Sequence, residues 1–279
     1  MERYPGGKGN NIATMIGILG GEVIATGFLG RAASRFVQEH LHKKGVTTSF
    51  IHINDATRHN YYIIDDATDT RTLLDEEGPI IDEDEQRFFL DNYRRILKRA
   101  SLVVLAGRLP RNVDRAIYRK LMEMAGELGV RIIINTREEN MVDCMELNPY
   151  ISMPDTRDTD KILGQKVESD AHRKDLACRI LGKSPGASIL TFDYKDFIVS
   201  TPQGCWEVIA PDVEVRSRLK VGDAMLAGVI YSLSRKPGLK DALRWGAAMS
   251  AVSSVYLGGF IESRREVEDY LDQVIIKEV

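Results

Sequence analysis

The run Leu102-Val103-Val104-Leu105-Ala106, with residues 112–128 and 130–134 behind it, decides the fold. The first run is apolar on both faces, the pattern of a buried parallel strand. Between 112 and 128, apolar residues recur at spacings of three and four (Ala116, Ile117, Leu121, Met124, Ala125, Leu128), and Gly129 supplies a stop. Residues 130–134 are again a strand-like apolar run. Strand, helix and strand at this spacing make a βαβ unit. The rhythm repeats outward. Residues 22–28 read as a strand, 34–44 as a helix carrying Phe36, Val37 and Leu41 and stopping at Gly45, and 187–192 as another strand. Helices are expected over 221–233, 239–256 and 264–275. The expected architecture is one α/β domain over 1–279, with a central, mostly parallel sheet flanked by helices.

One region interrupts the alternation. Residues 47–54, 60–65 and 70–74 are three short β-type segments with little helix between them. They are expected to form a small antiparallel sheet, a β lid over about 47–75. One face of such a sheet can stay wet, so it suits a lid or a dimer surface.

Composition excludes several classes. A net charge of -3 gives no electrostatic footprint for nucleic acid or an anionic membrane. No apolar run reaches the ~18 residues of a membrane span, and Met1-Glu2-Arg3-Tyr4-Pro5 has no apolar signal core. Cys144, Cys178 and Cys205 are odd in number and far apart, with neither a CxxC pair nor Cys/His metal spacing. They read as reduced thiols in a cytoplasmic protein with no protein-held metal.

Two glycine-containing turns carry the chemistry. Pro5-Gly6-Gly7-Lys8-Gly9-Asn10-Asn11 opens a stretch with helical spacing at Ile12, Met15, Ile16 and Leu19. Glycines let backbone N–H groups approach a ligand, a helix start adds partial positive charge, and Lys8 adds a full one. The turn suits a phosphate or a polyol, or it simply caps a helix. Far downstream, Lys220-Val221-Gly222-Asp223-Ala224-Met225 opens another helix. Here a carboxylate lies beside N–H groups aimed at an anion. It would take a hydroxyl proton while the N–H groups hold the charge of a transferred phosphoryl. The blander alternative is that Asp223 only favours the helix start.

In order and separation, the two turns resemble the ribokinase-like (PfkB) carbohydrate kinases, in the branch of 1-phosphofructokinase and tagatose-6-phosphate kinase. Pro5–Ala13 is similar to that branch's PGGKGxNVA signature, and Thr26-Gly27-Phe28-Leu29-Gly30 to its GFLG segment. Thr57-Arg58-His59-Asn60 resembles TRxN, Leu105-Ala106-Gly107-Arg108-Leu109-Pro110 resembles LSGSLP, and 221–228 resembles the end of GAGDxxxAG. The resemblance implies that Gly6, Gly7, Lys8 and Asn11 line a sugar site and that Arg58 binds a phosphate already on the sugar. It implies Gly222 N–H groups in the phosphoryl pocket, Asp223 as general base, the β segments as a lid, and ATP with Mg²⁺ as donor. Separately, the apolar face of an exposed lid sheet must be covered, so a homodimer through the lid is expected.

The chain also departs from the pattern. The family's first strand, which carries a sugar-binding aspartate, has no counterpart ahead of the turn at Gly6, and a preceding segment is expected to supply it. Lys220 replaces the first glycine of GAGD, where it would be strained or would touch a phosphate. On the donor side KPNxxE maps onto Met153-Pro154-Asp155-Thr156-Arg157-Asp158, and a glycine turn onto 191–196 with Asp193 and Asp196 in place of glycines. The expected cofactor contacts are therefore Lys220, Val221, Asp193, Asp155 and Asp158. Two functions follow: an ATP-dependent kinase of fructose 1-phosphate, fructose 6-phosphate or tagatose 6-phosphate, or a catalytically impaired relative that binds a sugar phosphate as sensor or scaffold.

Overall fold

The computed structural model describes residues 3–65, 70–136, 138–154, 186–192, 196–236 and 238–279, with 169, 172 and 175. The expected βαβ unit is present. β5 (Leu102–Gly107) pairs in parallel with β6 (Arg131–Thr136), Leu102 opposite Arg131 and Gly107 opposite Thr136, and α4 (Ala116–Glu127) connects them. Beyond β6 come α5 (Glu138–Met145), β7 (Ile151–Ser152), β8 (Ala187–Phe192), β9 (Asp196–Thr201) and β10 (Gly204–Ile209). The chain closes with α6 (Val221–Arg235), α7 (Leu239–Val255), α8 (Arg264–Glu268) and β11 (Ile275–Glu278). The seven strands are ordered β11-β10-β9-β8-β7-β6-β5, parallel from β5 to β8 and antiparallel beyond.

Side chains alternate across this sheet with the period of two that a pleat imposes. Ile133, Ile189, Phe197 and Val199 join one core with α6, α7 and α1 (Lys8–Ile18), while Ile132, Ile134, Leu190 and Ile198 join the core on the other face. α3 (Glu83–Leu97) covers that second face together with α4. Its start is a capping box, in which the Asp82 side chain accepts from Glu85 N–H and the Glu85 side chain accepts from Asp82 N–H. A cap of this kind stabilises a helix by about 1 kcal/mol. The acidic residues Glu83, Asp84 and Glu85 thus occupy the first turn of α3, where the helix dipole favours negative charge.

Two expectations are corrected. The segment at 47–54 does not join the lid. β1 (Ile24–Gly30), α2 (Arg31–Lys43) and β2 (Thr47–Ile53) make a second parallel βαβ unit, with Ile24 opposite Thr47 and Gly30 opposite Ile53. The cause is α2, whose buried Val37 and Leu41 pack with Ala25, Leu29 and Val46 and hold β2 beside β1. Only β3 (Asn60–Asp65) and β4 (Thr70–Asp75) form the projecting antiparallel pair. The last helix is also shorter than expected. It ends at Glu268, and the β-branched residues Ile275 and Ile276 continue as β11 against β10.

Among the described residues, the β1–β2 pair is not hydrogen-bonded to the seven-stranded sheet. α1 packs on both β1 and β5, and a cavity bordered by these strands, by α1 and by Phe89, Tyr93 and Ile96 of α3 lies between them. Leu102, Val103 and Val104 of β5 are accordingly only half-buried, whereas Ile132, Ile133 and Ile134 of β6 are buried. Among the described residues, no strand pairs with the outer edge of β5. No helix among the described residues is long and apolar enough to cross a membrane.

Candidate active site

The first turn works through its backbone. Gly7 stands at the N-cap of α1 with φ 95°, in the left-handed half of backbone space that favours glycine, and offers no capping side chain. From the first turn of α1, Lys8 reaches the end of β6 and Asn11 reaches the start of α6. Lys8 Nζ donates to Asn135 Oδ1 at 2.8 Å. Asn135 is a buried polar residue at the end of β6, and it also donates to the Met153 carbonyl at 3.0 Å.

The second turn meets the first here. Asn11 Nδ2 donates to Asp223 Oδ2 at 2.7 Å, and Lys8 Nζ lies 3.6 Å from Asp223 Oδ1. Asp223 is buried in the first turn of α6. Burial raises its carboxyl above the ordinary range, against the opposing pull of the Lys8 charge, the Asn11 hydrogen bond and the Lys220 charge. The first intrahelical bond of α6 is from Ala224 N–H to the Lys220 carbonyl. Helix geometry thus leaves the N–H groups of Val221, Gly222 and Asp223 without intrahelical acceptors, and the helix dipole makes that end attractive to an anion.

One cavity is lined by Gly6, Gly7, Lys8, Asn11 and Arg58 from the N-terminal half and by Lys220, Val221, Gly222 and Asp223 from α6. The guanidinium of Arg58 lies against Gly78, so Arg58 stands on the lid side of that cavity. Asp155, Asp158 and Asp193 lie outside the described residues. Asp196, the other aspartate of the donor turn, opens β9 and accepts from Ala210 N–H at 3.2 Å, so that its carboxylate is tied to the end of β10. Arg108, a further candidate for an anion contact, lies 3.7 Å from Asp75 of β4. No group of three or more His, Cys, Asp or Glu residues that would hold a metal ion occurs among the described residues.

Sequence reasoning missed Asn135. Its signal is legible: a polar residue ending Ile132-Ile133-Ile134, at the strand ends where open α/β sheets bind ligands. His40 of α2 is half-buried, edge-on to Tyr4 at 6.3 Å. Cys144 and Cys205 are free and buried, and burial pushes the Cys144 thiol up to about 12, an unreactive state.

The fold and the paired turns define an α/β carbohydrate-kinase class. Residues 1–260 match the model of the pfkB family carbohydrate kinases, and the chain belongs to that family. It is 21% identical over 252 residues to 1-phosphofructokinase of Bacillus subtilis, an alignment covering 90% of this chain and 82% of the relative. It is 23% identical over 253 residues to tagatose-6-phosphate kinase of Staphylococcus epidermidis, covering 90% and 81%. Among solved structures, a possible 1-phosphofructokinase of Thermotoga maritima superposes with TM-score 0.90 at 26% identity, over 100% of this chain and 89% of that one. Phosphofructokinase-2 of Escherichia coli, solved with substrates and products, superposes with TM-score 0.87 at 21% identity, over 97% and 88%. The same E. coli enzyme has also been solved as a tetrameric inhibited form.

Proposed function

We propose that this chain transfers a phosphoryl group from ATP to a hydroxyl of a phosphorylated ketohexose: fructose 1-phosphate, fructose 6-phosphate or tagatose 6-phosphate. The observation that carries the reading is the contact of Asn11 and Lys8 with Asp223, which brings a polyol-type turn against a carboxylate at a helix N-terminus. Asp223 takes the acceptor hydroxyl proton onto a carboxylate oxygen. The N–H groups at Val221, Gly222 and Asp223 hold the charge of the group in transfer. Asn11 Oδ1 is buried without a hydrogen-bond partner, and a sugar hydroxyl would satisfy it. Arg58 grips the phosphate the sugar already carries, because its planar fork matches phosphate oxygens.

The residues present fit the phosphate end of a nucleotide, since α6 opens with unpaired N–H groups flanked by Lys8 and Lys220. Mg²⁺ would be held chiefly by phosphate oxygens and water, as is usual for this ion. When bound, ATP with Mg²⁺ supplies the transferable phosphoryl and neutralises its charge.

The sensor reading has one specific support. Met153, at the position of the family's lysine, is buried next to Gly222 and brings no charge to the donor side. A cytoplasmic homodimer through β3 and β4 completes the proposal. Tyr62, Ile63 and Leu74 there are each more than half exposed, at 54%, 53% and 53%. Titration calorimetry with ATP–Mg²⁺ and with each of the three sugar phosphates, beside a coupled turnover assay, tests the assignment. Sugar-phosphate binding with neither ATP binding nor turnover would favour the sensor.

A further inference from the structure

Lys220 has φ 61° and ψ 5°, a left-handed backbone immediately before α6. That conformation is unfavourable for any residue with a Cβ, and glycine adopts it freely. The side chain of Lys220 makes contacts that glycine cannot. Its Nζ donates to the Gly258 carbonyl at 2.6 Å. It also stands 4.4 Å from the ring centre of Phe260 and 5.4 Å from that of Tyr4, both within reach of a cation–π attraction. One carbonyl and two ring faces thus enclose an ammonium at the foot of α6.

The surroundings of this site are tightly built. Gly259 has φ 68°, and a Cβ there would collide with the Leu219 carbonyl. Ser253 Oγ donates to the Gly259 carbonyl at 2.7 Å, and the Ser254 carbonyl accepts from both Arg216 and Ser217 N–H at 2.9 Å. The segment entering α6 and the segment leaving α7 are joined by these bonds, with the ammonium as the charged member of the set. Asp223 has Lys8 and Asn11 as side-chain partners, so Lys220 acts on it through space alone.

We propose that Lys220 is a positioning residue whose ammonium serves as a tethered cation, holding the turn at Val221, Gly222 and Asp223 in the shape that receives an anion. Its consequence for rate rests on the kinase reading; the cation site itself does not.

The test uses K220G, K220M and K220R in the full chain, melted and assayed in sodium chloride and in ammonium or methylammonium chloride at equal ionic strength. If Lys220 is merely a tolerated strained residue, K220G melts higher than wild type and turns over equally well, which overturns the proposal. If it is a tethered cation, K220G melts lower in sodium chloride and loses about ten- to a hundredfold in kcat, the scale of a misplaced site, with the sugar-phosphate KM little changed. Ammonium or methylammonium, entering the emptied cage, then restores both midpoint and kcat in K220G. K220R, which keeps the charge, stays near wild type, and K220M, whose apolar stem fills the cage, responds to neither ion. K220M matching wild type, or K220G unmoved by ammonium, also overturns it. Wild type inactive on every sugar phosphate would end the kinase reading, and the ammonium-dependent midpoint would still decide the cation site.

Discussion

Asn11 donates to Asp223 at 2.7 Å across 212 residues of chain, so the two glycine-containing turns form one site. The contact sets up the first prediction. Removing the carboxylate as Asp223→Asn removes the general base, a contribution of about 10²–10⁴ in rate. The fall should appear in kcat, with sugar affinity little changed, because the base acts in the transition state. Wild-type-like turnover in this variant would remove Asp223 from the chemistry.

The protonation of Asp223 gives the second. Burial raises its carboxyl, and the Lys8 charge opposes the rise. A base works only when ionised, so kcat should fall as pH drops through this raised value, at higher pH than an exposed aspartate would allow. Lys8→Met deletes a positive charge that favours the ionised form, and the acid limb should therefore move to higher pH. A kcat–pH profile of wild type and variant reads this, and an acid limb that moves down or stays put contradicts the arrangement.

Much of this was readable from residue types, and the reasons are physical. β5 and β6 are apolar on both faces, as strands of a parallel sheet are, and α4 between them shows its period plainly, so that unit follows from pattern. The site residues lie in turns, where glycine and a charged side chain declare a special backbone. The fate of β2 was not readable, because a half-buried strand looks the same whether it pairs in parallel with β1 or antiparallel with β3. Nor was the surrounding of Lys220, since the Gly258 carbonyl and the rings of Tyr4 and Phe260 come from distant segments.

Arg58 carries the third prediction. On the lid side of the cavity it is assigned to the phosphate of the acceptor sugar. Arg58→Ala should weaken a phosphorylated ketohexose by about 1.5–3 kcal/mol, the range for a charged hydrogen bond. The unphosphorylated sugar should bind as before. Calorimetry with both ligands checks it, and equal losses would assign Arg58 a structural role instead.

The hairpin carries the fourth. Tyr61 and Ile63 of β3 and Leu74 of β4 are exposed apolar residues on one face of the hairpin, since Tyr61 stands opposite Leu74 and side chains alternate along a strand. A contiguous apolar surface of this kind marks an interaction site. Light scattering at micromolar concentration should give a dimer, and Ile63→Asp with Leu74→Asp should give a monomer. A wild-type monomer with the hairpin ordered would exclude the interface.

The last prediction concerns the gap between β1 and β5. Arg131 N–H donates to the Ser101 carbonyl, which fixes the register of the β5–β6 ladder. In a parallel pair, successive residues of one strand turn their N–H groups alternately to one side and the other. From that bond onward the N–H groups of Val103, Leu105 and Gly107 face β6, and those of Leu102, Val104 and Ala106 face the other edge. No described strand pairs with that edge. Amide exchange along β5 should therefore alternate with a period of two: slow at 103 and 105, fast at 102, 104 and 106. Ile133 and Ile134 of β6, bordered by both β5 and β7, should be slow together. Residue-resolved hydrogen exchange by NMR reads the pattern directly. Uniform protection along β5 would mean that its outer edge is paired in solution, and the alternation would be lost.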